Sequence, residues 1–255
     1  MSEFIVKGKH FSTKHIWFET KIDNIGGGYD KLLIHGISQC DVALKDPFIS
    51  WEQETLISDL SCSEDELRAK MTKTIKNEIN RCARENVVVK SYEGQAITDD
   101  LLSEFATMYH EMYEEKEIHG HYLPISELKE YAKQNALIIT TAEINNKVVV
   151  YHSYIKDDLH SRFLQSCSEF RVADSAMRNA IGRANKYLHW HDWLLLKNIG
   201  VIEYDWGGIA SYDNPNGIDK FKMSFGGKYR KYYNISAVCS LRAKLYTLLR
   251  KVFRK

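Results

Sequence analysis

Between Gly200 and Gly227 the sequence gathers groups that could act on a substrate: Asp205-Trp206-Gly207-Gly208-Ile209, Gly217-Ile218, Phe221-Lys222 and Phe225-Gly226-Gly227. An ammonium such as that of Lys222, set beside a developing oxyanion or a donor phosphate, stabilises charge that grows in the transition state. The competing account is a solvated lysine on a basic segment. Asp205 ends a short apolar run, where a carboxylate can act as a base, orient an acceptor amine or cap the Gly-Gly turn. Gly207-Gly208 either lets a substrate approach the backbone or makes a tight turn. His119 and His121 stand in the polar stretch Glu117-Ile118-His119-Gly120-His121. A histidine of near-neutral pKa can take the proton shed by an attacking ammonium or hydroxyl; otherwise the two are solvated loop residues.

Metal chemistry finds little support. His119-Gly120-His121 could begin a site, as could His189, His191 and Asp192, but no complementary ligand cluster stands nearby in sequence, so no metal is expected. On helical spacing His191 falls on the apolar stripe and His189 and Asp192 on its flank. The five cysteines, Cys40, Cys62, Cys82, Cys167 and Cys239, are odd in number and form no Cys-x-x-Cys pair. They read as free thiols in a reducing compartment, and Cys167 as a buried one.

The elements that must position these groups follow from periodicity and turn chemistry. The runs His15–Thr20 and Leu32–His35 flank Asp23-Asn24-Ile25-Gly26-Gly27-Gly28, which predicts a β-hairpin. A phosphate loop is the sharper alternative, but no helix start follows the glycines. Ser63 and Glu66 form a capping box, and Leu67, Met71, Ile75, Ile79 and Cys82 predict one helix of about six turns. Asn86 is its left-handed stop. A strand over Val87–Ser91 precedes a helix capped at Thr98 or Asp99, with Leu102, Phe105, Tyr109 and Met112 on its apolar face. A short helix near Ser126–Gln134 follows. Strands Leu137–Ile144, Lys147–Ile155 and Leu159–Ser166, joined at Asn145-Asn146 and Asp157-Asp158, make an antiparallel meander. A long helix with Ala180, Ile181, Ala184, Tyr187, Leu188, His191, Leu194 and Leu195 on one stripe ends at Gly200. Strand Val201–Tyr204, a Gly-rich loop and strand Tyr229–Val238 complete the order.

That order is the layout of the GNAT (acyl-CoA N-acyltransferase) fold: α+β, a mixed, mainly antiparallel sheet flanked by helices. An N-terminal β-hairpin extension and a C-terminal basic helix are added here. The sequence divides accordingly into residues 1–62, 63–239 and 240–255. The motif from Gly200 to Gly227 resembles the signature of FemABX-type transferases, in which Asp-x-Gly-Gly precedes Gly-Ile-x-x-Phe-Lys-x-x-Phe-Gly-Gly. Arg81 to Val89 also resembles an earlier part of that domain, so the likeness spans roughly Ser63 to Val238. FemABX proteins usually hold two such domains, and this chain has room for one full copy, which leaves peptidoglycan specificity unassigned.

The resemblance implies transfer of an acyl or aminoacyl group to an amine of a cell-wall precursor or amino sugar. No tightly bound cofactor is implied; acyl-CoA or aminoacyl-tRNA serves as donor. By motif position Phe221 and Lys222 match the family residues at the reacting end of the donor, with Trp206, Gly207 and Gly208 beside them. His119 and His121 fall in the loop where GNAT-type proteins commonly contact the acceptor. CoA-using GNAT enzymes carry Gln/Arg-x-x-Gly-x-Gly/Ala at a helix N-terminus, where free N–H groups hold the pyrophosphate. Asn179-Ala180-Ile181-Gly182-Arg183-Ala184 matches in part, with Asn in first place. The alternative is one glycine inside a long helix. A non-catalytic relative that binds a glycan is the other reading of the whole.

Net charge is +1, yet residues 1–219 carry −10 and residues 220–255 carry +11 with no acid among them. The last segment, Leu241–Lys255, reads as a basic amphipathic helix with Leu241, Leu245, Leu248, Leu249 and Val252 on one face and six cations elsewhere. Such a helix suits an anionic membrane surface, tRNA phosphates, or packing on the acidic body. With no apolar stretch of about 20 residues and no secretory layout at the N-terminus, the expected place is cytoplasmic, with peripheral contact at the inner membrane face.

Overall fold

The computed structural model describes residues 2–18, 27–37, 48–171 and 174–253. In chain order the strands and helices are β1 (Ser2–Lys7), β2 (Ser12–Trp17), β3 (Lys31–Ile37), β4 (Phe48–Asp59), α1 (Glu64–Lys70), α2 (Lys73–Cys82), β5 (Val88–Glu93), α3 (Asp99–Glu114), α4 (Ile125–Lys133), β6 (Leu137–Ile144), β7 (Lys147–Lys156), β8 (His160–Ser168), α5 (Ser175–Asn198), β9 (Glu203–Asp205), α6 (Gly217–Met223), β10 (Lys228–Val238) and α7 (Leu241–Phe253). The fold is α+β, with mostly antiparallel strands flanked by helices. Two compact units form: residues 1–55 with 230–255, and residues 56–229. β10 and α7 therefore join the N-terminal strands rather than the central region.

In the first unit the strand order is β1-β2-β3-β10. β1 and β2 are antiparallel, and Gly8 donates to the Phe11 carbonyl at 3.0 Å in the turn between them. β2 and β3 run parallel, Thr13 opposite Lys31 and Trp17 opposite His35. This corrects the expected hairpin: a parallel pair needs a crossover connection, not a tight turn. Asp23–Gly26 of the supposed turn lie outside the described residues. Ile16, Leu32, Ile34, Ile37 and Ile235 form this unit's core. Asp30 ties α7 to it, accepting from Ser240 Oγ at 2.6 Å, the Ser12 amide at 2.9 Å and Arg242 at 2.9 Å. Of α7, Ala243 is buried, whereas Leu241, Leu245 and Leu248 are 84%, 59% and 60% exposed. Its apolar stripe therefore faces solvent.

In the second unit the order is β4-β9-β8-β7-β6-β5, with only β8 and β9 parallel. The Asn145-Asn146 turn has φ of 52° and 62°, as a two-residue hairpin loop requires. The predicted six-turn helix is two helices. Met71 turns extended, and Thr72 caps α2 by accepting from the Ile75 amide. Leu67, Met71, Ile75 and Ile79 still share one core with Leu56, Trp190, Trp193, Tyr204, Trp206 and Phe225. The Gly-rich loop holds a further helix, α6. Asn216 caps it, and the Asn216 backbone N–H donates to the Asp219 carboxylate. Among the described residues no helix is long and apolar enough to cross a membrane.

Candidate functional site

The parallel pair β8 and β9 opens the site. Their register ends at Arg162 opposite Asp205, after which β9 stops while β8 continues to Ser168. Phe163–Ser166 of β8 are thereby freed to line a cleft of about 400 Å³. Its other walls are Tyr109, Met112, Tyr113 and Lys116 around the end of α3, Asn185 and His189 of α5, Trp206 and Gly207, and Phe221 and Lys222 of α6.

The chain turns away from β9 at Gly207, where φ is +78° and a Cβ would stand 2.2 Å from the Phe163 carbonyl oxygen. Only glycine fits so close an approach. Asp205 Oδ1 accepts from the Gly207 amide at 2.8 Å, and Oδ2 accepts from Arg162 at 3.1 Å. Asp205 thus caps the turn and balances a buried guanidinium; it does not line the cleft. Gly208 offers its carbonyl to Lys222 Nζ at 2.6 Å. Burial pushes the Lys222 amine down to about 8, and Arg162 adds to this, while Asp205 and Asp219 hold it up. α6 itself is pinned by the buried Asp219, which accepts from the Ala210 amide at 3.0 Å and the Asn216 amide at 3.1 Å.

Phe221 packs its ring on Phe225 at 5.4 Å and on His189 at 5.5 Å. Trp206 is fully buried, its indole donating to Ser58 Oγ at 3.1 Å. His189 lies against Trp206, Phe163 and Phe225. Burial holds its pKa well below the ordinary histidine value, with His152 and Lys222 acting in the same direction, so it is neutral. Its Nδ1 has no hydrogen-bond partner among the described residues. Lys116 brings a second amine, also lowered by burial, with Nζ 4.9 Å from the Tyr113 ring.

Behind Asn185 lies a sealed polar chain. His152 Nε2 meets Asn185 Oδ1 at 2.8 Å, His152 Nδ1 meets Asp192 Oδ2 at 2.7 Å, and Tyr154 donates to the same carboxylate oxygen. Ligand-type atoms of His152, His189 and Asp192 lie within 4.8 Å of one another. His152 and Asp192 are already joined by hydrogen bonding. A second cavity of about 440 Å³, with Thr140 and His191 on its wall, also touches Asp192.

Several residues singled out by sequence meet here: Trp206, Gly207, Phe221 and Lys222 line the cleft, and Gly208 and Asp205 support it. His119 and His121 do not line it. His119 is exposed and bonds Glu114 at 2.8 Å; His121 stacks on Tyr113. Asn179, Gly182 and Arg183 lie inside α5, which begins at Ser175 behind an Asp174 cap, so no free helix N-terminus stands there. Asn179 is exposed and Arg183 pairs with Glu85 at 2.7 Å. On α5 the expected faces are corrected: His189 and Asp192 are buried at 2% and 1%, while His191 is half-buried. Cys167 is buried and its thiol pKa raised by that burial. Asn185, Lys116 and Tyr113 had no distinguishing sequence signal, and His189 was singled out only as a possible metal ligand; Lys116 stands in a charge-rich run, and Asn185 on the polar side of a helix.

No family model matches this sequence, and no curated protein matches it. Solved structures do resemble it. FemX superposes with a TM-score of 0.62 at 11% identity, over 96% of this chain and 85% of FemX. L-PGS from Bacillus licheniformis gives 0.53 at 13% identity, over 86% and 72%. The C-terminal DUF2156 domain of a putative lysylphosphatidylglycerol synthetase from Agrobacterium fabrum gives 0.53 at 14%, over 87% and 72%. At such identities the likeness is one of fold.

Proposed function

We propose that this chain is an acyl- or aminoacyltransferase that acylates an amine of a cell-envelope glycan, nucleotide sugar or peptidoglycan precursor. The observation that carries the reading is Lys222: a part-buried ammonium in a cleft at the open end of a parallel strand pair, anchored through the Gly208 carbonyl. The fold shared with FemX and the Phe221-Lys222 motif support it. The acceptor nitrogen attacks the donor carbonyl carbon, the bond to the leaving oxygen or sulfur breaks, and the amine proton is released. Lys222 faces the oxyanion that forms between these events, where a pre-positioned cation lowers the barrier.

An aminoacyl ester is the preferred donor, because Asn179–Ala184 sits inside α5 rather than at its start and so lacks free N–H groups for a CoA pyrophosphate. The exposed leucines of α7, among the cations of the +11 segment, form a contact for an anionic membrane surface. The test is transfer of a radiolabelled group from aminoacyl-tRNA or acyl-CoA to UDP-linked and free amino sugars. Salt-sensitive tRNA binding with transfer supports the preferred donor; thermal stabilisation and transfer with acyl-CoA alone replaces it. Absence of transfer from both, with glycan binding retained, overturns the enzymatic reading.

A further inference from the structure

We infer that Asn185 is a substrate-recognition residue, donating through its amide nitrogen to an uncharged oxygen, carbonyl or hydroxyl, of a substrate in the cleft. The buried chain Tyr154–Asp192–His152 sets which end of the amide it presents. The inference rests on the transferase reading of the cleft.

Asn185 is half-buried, lines the cleft, and makes one hydrogen bond, between Oδ1 and His152 Nε2. Its amide nitrogen makes none with any described residue. An amide offers a donor at one end and an acceptor at the other, so the end held by His152 decides what the cleft receives. A carboxylate accepts only, so His152 Nδ1 must carry a proton toward Asp192 Oδ2. Asp192 is 1% exposed and His152 fully buried. Asn185 Oδ1 can only accept, so the Nε2 that faces it is the donor, and the NH2 group is left for the substrate.

The arrangement is costly without such a use. Three ionisable or hydroxyl side chains are buried behind the cleft, and each needs a partner to offset its desolvation. Asp192 and Asn185 both sit on α5, while His152 and Tyr154 sit on β7. Helix and strand are thus locked at one register, with the amide as the exposed end.

Two variants and two readouts test this. Asn185→Leu removes the donor; Asp192→Asn leaves Asn185 in place but removes the charge that holds His152. In transfer assays with aminoacyl-tRNA and an amino-sugar acceptor, Asn185→Leu should raise KM for one substrate about tenfold, the effect of one lost hydrogen bond. Asp192→Asn should raise the same KM a few-fold and leave the other substrate's KM unchanged. A lowered Tm with both KM values unchanged overturns the inference, because it leaves only a structural role. The second readout needs no activity. In 15N spectra the Asn185 side-chain amide, assigned by its loss in Asn185→Leu, should shift in Asp192→Asn; an unmoved amide overturns the orienting role of the chain. If wild-type protein transfers nothing from either donor, the function proposed above has failed, and the amide readout still decides this one.

Discussion

Two polar clusters in the same unit are built from similar parts and left in opposite conditions. Asp192, His152 and Tyr154 are sealed, with one acid matched to one base inside a few ångströms. Arg162 and Asp205 form an ion pair, while Lys222, hydrogen-bonded to the Gly208 carbonyl, feels both Asp205 and Asp219 and opens on the cleft. A balanced cluster can orient a neighbour but has no charge to lend. One whose lysine is desolvated enough to come down to about 8 in spite of two acids keeps a cation at the edge of a site where charge can develop.

The largest break in this comparison is the loss of the Lys222 charge. Lys222→Met should reduce transfer by about 100- to 1000-fold, the scale of one removed oxyanion partner. Its Tm at pH 7 should stay level or rise, because an incompletely compensated charge has been taken out of a low-dielectric site. A parallel fall in Tm would instead mean a packing role. Gly207→Ala drives a Cβ into the Phe163 carbonyl at positive φ and should lose about 2–4 kcal/mol in urea unfolding, with transfer lost alongside. Asp205→Asn removes the stronger of the two acids that hold Lys222 up and takes an ion-pair partner from Arg162. Transfer should fall about tenfold, and the pH at which activity declines should move lower. The smallest effect on stability is expected at α7: Leu245→Glu with Leu248→Glu should change unfolding free energy by less than about 0.5 kcal/mol, as for exposed positions, while abolishing binding to vesicles containing anionic lipid. Vesicle binding that survives would take the membrane role from this helix.

How the clusters differ explains what the sequence could and could not convey. The open cluster falls within Gly200–Gly227, where glycines, Asp205 and the Phe221-Lys222 pair stand close together, so its residues could be named in advance. The sealed cluster joins residues 40 positions apart, His152 and Asp192. Apolar periodicity sends a polar residue such as Asp192 or His189 to the outside unless its partner is known, so periodicity alone places the buried face of α5 elsewhere. Local signals served where the chain decides locally: the Ser63–Glu66 box, the Thr98 cap, and Asn86 at φ 52°. They failed where two signals competed. The apolar repeat from Leu67 to Cys82 hid the break at Met71, although Thr72 was a plausible cap. Glycines on both sides hid α6 and its Asn216–Asp219 box. The parallel pairing of β2 with β3 is set by partners, and the glycine-rich sequence between them carries the opposite implication.

The linkage sign follows from Lys222 as well. Its pKa of about 8 lies below the ordinary lysine value, so between the two the unfolded chain holds more protons than the folded one. The penalty for burying the charge is full below pH 8 and fades as pH rises toward the unfolded value. The Tm advantage of Lys222→Met should therefore shrink above pH 8.

The most direct measurement is kcat/KM against pH for the wild type and for Lys222→Arg, which keeps a cation that does not titrate in this range. A catalytic Lys222 cation requires a wild-type limb that falls as pH rises through about 8, absent from the arginine variant even if that variant is slower. The same falling limb in both, or a wild-type rate that rises through pH 8 and levels off, as for a neutral lysine base, would contradict it.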